Sequence, residues 1–218
     1  MDLTSFSPSS ALITVILLSL APFVAVMVTS FTKIVVVLSL LRNALGVQQV
    51  PPNLVLNGLA LVLTIYVMYP VGQAMSRNIS GLEDITSSTD SMLAAADAAK
   101  EPLREFLIKH ASPREREFFL KTIKKMVDEQ DEATEITAQD FIVIIPAFTV
   151  SELTAAFQMG FLIFLPFIVV DLVISNILLS MGMMMLSPTI VSLPFKLLLF
   201  VLIEGWAKLA HGLVLSYL

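Results

Sequence analysis

The sequence predicts an all-α integral membrane protein, in which two long apolar helical hairpins flank an inserted, mostly helical extramembrane domain. The 218-residue chain is 56% hydrophobic, and its mean hydropathy is +0.87. Only 14% of its residues are charged, against about 25% in soluble proteins. Fourteen of the eighteen acidic residues and nine of the thirteen basic ones lie between Arg77 and Asp140. The composition therefore divides the chain into residues 1–72, 73–140 and 141–218.

The first block, residues 1–72, is predicted to be a helical hairpin. Its apolar run from residue 11 to 41 exceeds the roughly 20 residues that cross a bilayer, so the first helix is expected to bend or to reach beyond the membrane. A polar break follows at Arg42, and Pro51 and Pro52 favour the start of a second apolar helix. The first ten residues contain an acid and no base, unlike a secretory signal, so the N-terminus is expected to be retained.

The middle block, residues 73–140, is polar and carries most of the net charge of −5. Ser112, Pro113 and Glu115 have the spacing of a helix start with a capping box. The block is therefore expected to be mostly helical and to lie outside the membrane. The short loop that holds Arg42 is assigned to the cytoplasm by its basic residue, which places the insert on the opposite side.

The third block, residues 141–218, is predicted to be the second hairpin. Its first apolar run is longer than 40 residues and contains Pro146 and Pro166. We therefore expect a short helix, a break near Pro146 to Ser151, and a long helix that ends at a methionine cluster. A last helix is expected from residue 189 to 217.

Ionisable residues inside the apolar blocks are predicted to be paired, because an isolated charge in lipid is costly. Glu152 and Lys196 are the expected ion pair, within one chain or between copies, and Lys33 is a competing partner for Glu152. The pair would favour assembly if each charge lacked a partner in the isolated chain and gained one from a neighbouring copy. The alternative is that these side chains extend to solvent near helix ends.

A polar strip is predicted along the long helix of the third block. Asp171 is followed one turn later by Ser175 and Asn176, so Asp171 and Asn176 are candidates to line a conduit. Hydrogen bonding between buried helices is an alternative. A third alternative is a proton relay through Asp171 or Glu204.

The residue inventory argues against an enzyme. The chain has no cysteine, and its two histidines, His110 and His211, are far apart in sequence, so neither a thiolate site nor a histidine metal site is expected. The sequence contains no Walker loop, GxGxxG stretch or catalytic triad pattern, and no basic footprint for nucleic acid. We expect no catalytic residue, metal, cofactor or nucleic-acid partner.

Several long segments carry a resemblance to a known family. They are TSFTKIVVVLSLLRNALGVQQVPPN from Thr29, IPAFTVSELTAAFQMGFLIFLPF from Ile145, DLVISNILLSMGMMMLSP from Asp171 and LPFKLLLFVLIEGW, which ends at Trp206. Together they resemble the FliP/SctR family of type III secretion export-apparatus proteins over almost the whole chain. The segment GVQQVPPN and the lack of a signal peptide are more similar to the injectisome branch (SctR, YscR, HrcR) than to flagellar FliP.

The resemblance implies a core subunit of the type III secretion export gate in the bacterial inner membrane. Family members form a ring of five copies with SctS/FliQ-like and SctT/FliR-like proteins, beside an SctU/FlhB-like switch protein and membrane lipids. The ring passes unfolded secreted proteins, and much of the assembly lies on the periplasmic side. The remaining alternatives are a small ion channel or secondary transporter, and a non-conducting assembly scaffold.

The methionine cluster is a candidate seal once a ring is implied. Met181, Met184 and Met185 have the spacing of one helical face, with Met183 pointing elsewhere. Methionine is flexible and polarizable, and an apolar constriction excludes ions by dewetting. The four methionines are therefore predicted to form a gasket around an extended chain, with gap filling in a helical core as the alternative.

Overall fold

The computed structural model describes residues 15–16, 19–20, 22–23, 25–47, 49–80, 89–127, 136–183 and 185–218, with the backbone alone for residues 89–96. The all-α prediction is confirmed, since helices run through these ranges and no strand occurs in them. The helices are α1 (Phe31–Leu45), α2 (Asn53–Ser80), α3 (Thr89–His110), α4 (Pro113–Met126), α5 (Phe141–Ser180), α6 (Pro188–Leu202) and α7 (Gly205–Leu215). Helical backbone also precedes α1, at residues 25–27.

Long apolar helices of the predicted kind are present. Helices α2 and α5 are long and apolar enough to cross a membrane, and α6 with α7 would make a third crossing if the bent pair acts as one span. Helix α2 continues past Pro70 and Gly72 to Ser80, so the change in composition after Gly72 is not a helix end. The three-part division of the chain stays a prediction.

Helix α5 is a single helix of 40 residues, about 60 Å long at 1.5 Å per residue. The predicted break near Pro146 to Ser151 is wrong. A proline inside a helix removes one backbone hydrogen bond, and at Pro146 the lost bond would reach Ile142, next to the helix start. Buried Ala147 and Phe148 pack on other helices at this point, and α5 stays helical through the proline.

The predicted single helix from residue 189 to 217 is also wrong. The chain breaks after Leu202, and the axes of α6 and α7 differ by 61°. Glu204 at the break has a left-handed backbone with a φ of 54°. Gly205 lies so close to the ring of Phe200 that a Cβ would overlap ring atoms, so the bend requires glycine at this position.

The predicted start of α4 is confirmed, with Ser112 as N-cap and Pro113 in the first turn. The predicted capping box is wrong, because the Ser112 side chain makes no capping hydrogen bond. Its backbone N–H instead donates to Ser151 Oγ on α5, at 2.8 Å. The start of α4 is thus tied to a neighbouring helix.

Both hairpins form, since α1 packs on α2 and α5 packs on α6. The most extensive contact joins the two hairpins, α1 against α5. Gly160 permits this close approach, because a Cβ there would overlap the side chain of Leu40 on α1.

Within the described ranges, three clusters of buried apolar side chains hold the helices together. The first lies between α3 and α5, where Leu107 and Phe148 are fully buried. The second lies where α1 and α2 meet α5 and α7, and the third where α1 meets α5 and α6. The first cluster fastens the polar insert to the apolar helices.

Candidate functional site: the methionine turn and two buried ion pairs

A glycine inside the methionine cluster ends the long helix. Helix α5 ends at Ser180, and Gly182 has a left-handed backbone with a φ of 71°. The N–H of Met183 donates to the carbonyl of Leu178 at 3.0 Å, and the N–H of Gly182 donates to that of Leu179 at 3.1 Å. This pair of bonds is the Schellman motif, which closes a helix at a left-handed residue.

Met181 and Met183 therefore lie between α5 and α6, as does Met185, and the described residues of 181–187 are called the methionine turn below. The prediction that Met181, Met184 and Met185 share a helical face is wrong, because α5 ends at Ser180 and neither Met181 nor Met185 lies in a helix. Met181, Met183 and Met185 are all exposed, whereas Met184 lies outside the described residues. A methionine gasket stays a prediction, and any such seal would be formed by a turn.

The first buried ion pair joins α1 to α5. Lys33 Nζ lies 3.1 Å from Glu152 Oε1, and the two side chains are 4% and 3% exposed. The Tyr217 hydroxyl donates a hydrogen bond to Glu152 Oε2, and Lys33 Nζ lies 3.5 Å from the centre of the Tyr217 ring. Charges this deeply buried are tolerated because each has a partner.

The second ion pair joins α5 to α6 and reaches α1. Lys196 Nζ lies 2.6 Å from Asp171 Oδ2, with side chains 4% and 38% exposed. Ser192 Oγ donates to Asp171 Oδ1 at 2.5 Å, and Lys196 Nζ also donates to the carbonyl of Ala44, near the end of α1, at 3.4 Å. One ammonium group thus connects three helices.

These two pairs replace the predicted pair of Glu152 with Lys196. The competing partner, Lys33, is the residue that the structure brings to Glu152, and Lys196 binds Asp171. All four charges have partners within the chain, so none of them depends on a neighbouring copy. A role of Glu152, Lys196 and Lys33 in assembly stays a prediction.

The two predicted conduit-lining residues have different surroundings. Asp171 binds Ser192 and Lys196 on α6, which is the helix-to-helix bonding given above as an alternative. Asn176, on the next part of α5, has an exposed side chain. A conduit-lining role for Asp171 and Asn176 stays a prediction.

Sequence reasoning missed three contributors to these sites. Gly182 followed closely by Ser187 and Pro188 is a readable sign of a helix end and a new helix start. The bonds from Tyr217 to Glu152 and from Ser192 to Asp171 join residues far apart in sequence. No local sequence pattern predicts such bonds.

His110 lies at the end of α3, beside the first ion pair. Its ring centre is 4.7 Å from that of Phe106 and 5.0 Å from that of Tyr217. Burial, and to a smaller extent the positive charges of Lys33 and Lys109, lower the pKa of His110 from 6.5 to about 4. His110 is therefore uncharged at neutral pH.

Large apolar side chains are exposed along the outer faces of α2, α5 and α6. Leu54, Phe161 and Val201 are examples. A monomeric soluble protein rarely shows apolar patches of this extent. The faces fit contact with lipid or with other membrane proteins.

The chain is similar to a protein family over most of its length. The FliP family model matches residues 13–213. The chain is 53% identical over 201 residues to Yop proteins translocation protein R of Yersinia pestis, an alignment that covers 92% of each chain.

Two further relatives have comparable similarity. Hypersensitivity response secretion protein HrcR of Ralstonia nicotianae is 49% identical over 215 residues, which covers 96% of this chain and 97% of the relative. Virulence protein YscR of Salmonella typhimurium is 47% identical over 216 residues, which covers 97% of each chain. The names of these relatives refer to secretion, translocation or virulence.

Proposed function

Because the chain belongs to the FliP family, as the resemblance in its sequence predicts, we propose that it is a core subunit of a type III secretion export gate. With its partners it forms a gated conduit for unfolded proteins across the bacterial inner membrane. The chain performs no chemistry itself and uses no cofactor. Its relatives are named for translocation and secretion, which supports this assignment.

The proposed assembly is a ring of five copies of this chain. SctS/FliQ-like and SctT/FliR-like proteins complete the conduit, an SctU/FlhB-like switch protein lies beside it, and lipids surround it. Much of the assembly lies on the periplasmic side of the inner membrane. The exposed apolar faces of α2, α5 and α6 support this proposal, because they would be covered by partners or lipid.

The methionine turn is the observation that carries the gate proposal. Its described methionines are exposed at the junction of α5 and α6. Helix α5 is long and apolar enough to cross a membrane, and α6 is so only together with α7. Flexible thioether side chains can close on one another and then move aside around any sequence. Repeated around a ring, the turn forms an apolar constriction that excludes ions by dewetting.

The position of the methionine turn supports a seal at the cytoplasmic end of the conduit. A Cβ placed on Gly46, just after α1, would lie 3.8 Å from Thr189 at the start of α6. The methionine turn is therefore at the same end of the molecule as the loop that follows Arg42. Arg42, in the last turn of α1 beside that loop, assigns this end of the molecule to the cytoplasm, so the seal lies where substrates enter.

Photocrosslinking of a stalled substrate tests the proposal. The substrate is a secreted protein fused to a tightly folded domain that cannot pass, and the photoreactive residue replaces Met185. We expect a crosslink at position 185 and none at Tyr66, a control that is also exposed, on the outer face of α2. Equal crosslinking at the two positions, or none at position 185, would contradict the proposal.

The two alternatives give different results. An ion channel or secondary transporter built around Asp171 and Lys196 would need these charges free, yet they bind each other. It would also conduct when the chain alone is reconstituted in liposomes, where we expect no flux. A non-conducting scaffold would never contact the stalled substrate at the methionine turn.

A further inference from the structure

The second ion pair lies at the junction that carries the methionine turn. We call the group formed by Asp171, Ser192, Lys196 and the carbonyl of Ala44 the joint. Asp171 lies about 2.5 turns before the end of α5, and Ser192 lies in the second turn of α6. The joint therefore ties together the two helices that enter and leave the turn.

The joint also holds the end of α1 against the start of α6. From the position of a Cβ on Gly46, Leu193 Cδ1, Thr189 Cγ2 and Lys196 Nζ are each 3.8 Å away. The Lys196 ammonium also faces the carbonyl end of α1, where the helix dipole favours a positive charge. Helix α1 thus provides a fixed support for the first two turns of α6.

Stability alone does not explain a lysine at this position. Replacing a buried ion pair by apolar side chains of similar volume is often neutral or stabilising. An apolar residue at position 196 would fill the space and make no directional contact with α5 or α1. An ammonium group with a carboxylate on α5 and a carbonyl on α1 accepts few positions, so it fixes the register of the three helices.

We infer that Lys196 is a positioning residue, which holds the methionine turn at one place relative to α1 through Asp171 and Ala44. The inference rests on the proposed function for its consequence, a seal held in register. Loss of the Lys196 charge releases the turn without unfolding the chain. The apolar clusters that join α1 to α5 remain in place.

Spin labels measure the position of the turn directly. The chain has no native cysteine, so cysteines placed at Asn43 and Ser187, both exposed, carry the only labels on this chain and leave the methionines intact. All copies in a complex carry the tested variant. Only a few of them are labelled, so that the measured distances lie within one chain. The distance distribution and the resting ion leak of the same complexes are then recorded.

We expect one narrow distance peak in the parent and in Lys196→Arg, which keeps the charge. In Lys196→Met, which keeps length and apolar volume, the narrow peak is lost and the ion leak rises. Lys208→Met, at an exposed lysine on α7, is the matched control and leaves both unchanged. If Lys196→Met does not yield folded protein, Asp171→Asn gives the same test by removing the charge of the carboxylate instead.

The two readouts separate the inference from the proposed function. A narrow, unshifted peak in both Lys196→Met and Asp171→Asn overturns the inference. A lost peak with an unchanged leak supports Lys196 as a positioning residue and contradicts the seal. A lost peak with a raised leak supports both.

Discussion

The two ion pairs have similar partners and different exposure. Each joins a lysine to a carboxylate on α5, and each lysine side chain is 4% exposed. The carboxylate differs, because Glu152 is 3% exposed and Asp171 is 38% exposed. The first pair is sealed by Tyr217 inside the core, and the second borders the surface near the methionine turn. The first should therefore govern folding, and the second the position of the turn.

Loss of the Glu152 charge is expected to have the largest effect. Glu152→Gln leaves the ammonium of Lys33 buried without a counter-charge, which destabilises the fold by about 3–5 kcal/mol. The measurement is the thermal unfolding midpoint in detergent. The double variant Lys33→Met with Glu152→Leu is the control and should recover part of the lost stability. An unchanged midpoint in Glu152→Gln would show that the ion pair does not stabilise the fold.

Tyr217→Phe should have a smaller effect on the same site. It removes the hydroxyl that binds Glu152 and keeps the ring beside Lys33, which costs about 1–3 kcal/mol for a buried acceptor left short of a donor. Tyr217→Ala should cost more, because it also removes the ring packed beside Phe106 and His110. An unfolding midpoint of Tyr217→Phe equal to that of the parent would contradict a stabilising role of the hydroxyl.

Asp171→Asn should destabilise less than Glu152→Gln. Water reaches Asp171 and can partly replace it as a partner of Lys196, so a loss of about 1–2 kcal/mol is expected. Unfolding midpoints of the two variants, measured side by side, decide the comparison. A loss at Asp171 as large as that at Glu152 would show that the two pairs are equivalent.

Lowering the pH should reveal a small effect of His110 on the stability of the fold. Because the folded pKa of His110 is about 4 and its ordinary pKa is 6.5, the unfolded chain binds more protons between these values, and stability falls as pH falls through that window. The parent should lose more stability between pH 7 and pH 5 than His110→Gln does. Parallel losses would mean that His110 titrates normally.

The helices were largely predictable from composition and periodicity, and their ends were less so. The start of α4 at Pro113 followed from local chemistry. The continuity of α5 through Pro146 did not, because packing of Ala147 and Phe148 outweighs one missing hydrogen bond. The break at Glu204 likewise depends on the contact of Gly205 with Phe200.

The candidate site was predictable in its residues and not in its connections. Charges in apolar blocks had to be paired, and Glu152, Lys196, Lys33 and Asp171 are indeed paired. Their partners were not predictable, since hydropathy gives no distance between helices. The prediction of a methionine face on a helix was wrong, because Gly182 inside the cluster ends the helix and helical spacing no longer describes the residues that follow.

The central claim is that the methionine turn seals the resting conduit, and ion conductance of the purified export complex in planar bilayers tests it most directly. Met181, Met183 and Met185 are changed together to alanine, and the matched control changes Leu61, Val62 and Ile65, which are exposed on α2, together to alanine. We predict a resting conductance several-fold above the parent in the triple variant and near the parent in the control. A triple variant that assembles normally and conducts no more than the parent would contradict the claim.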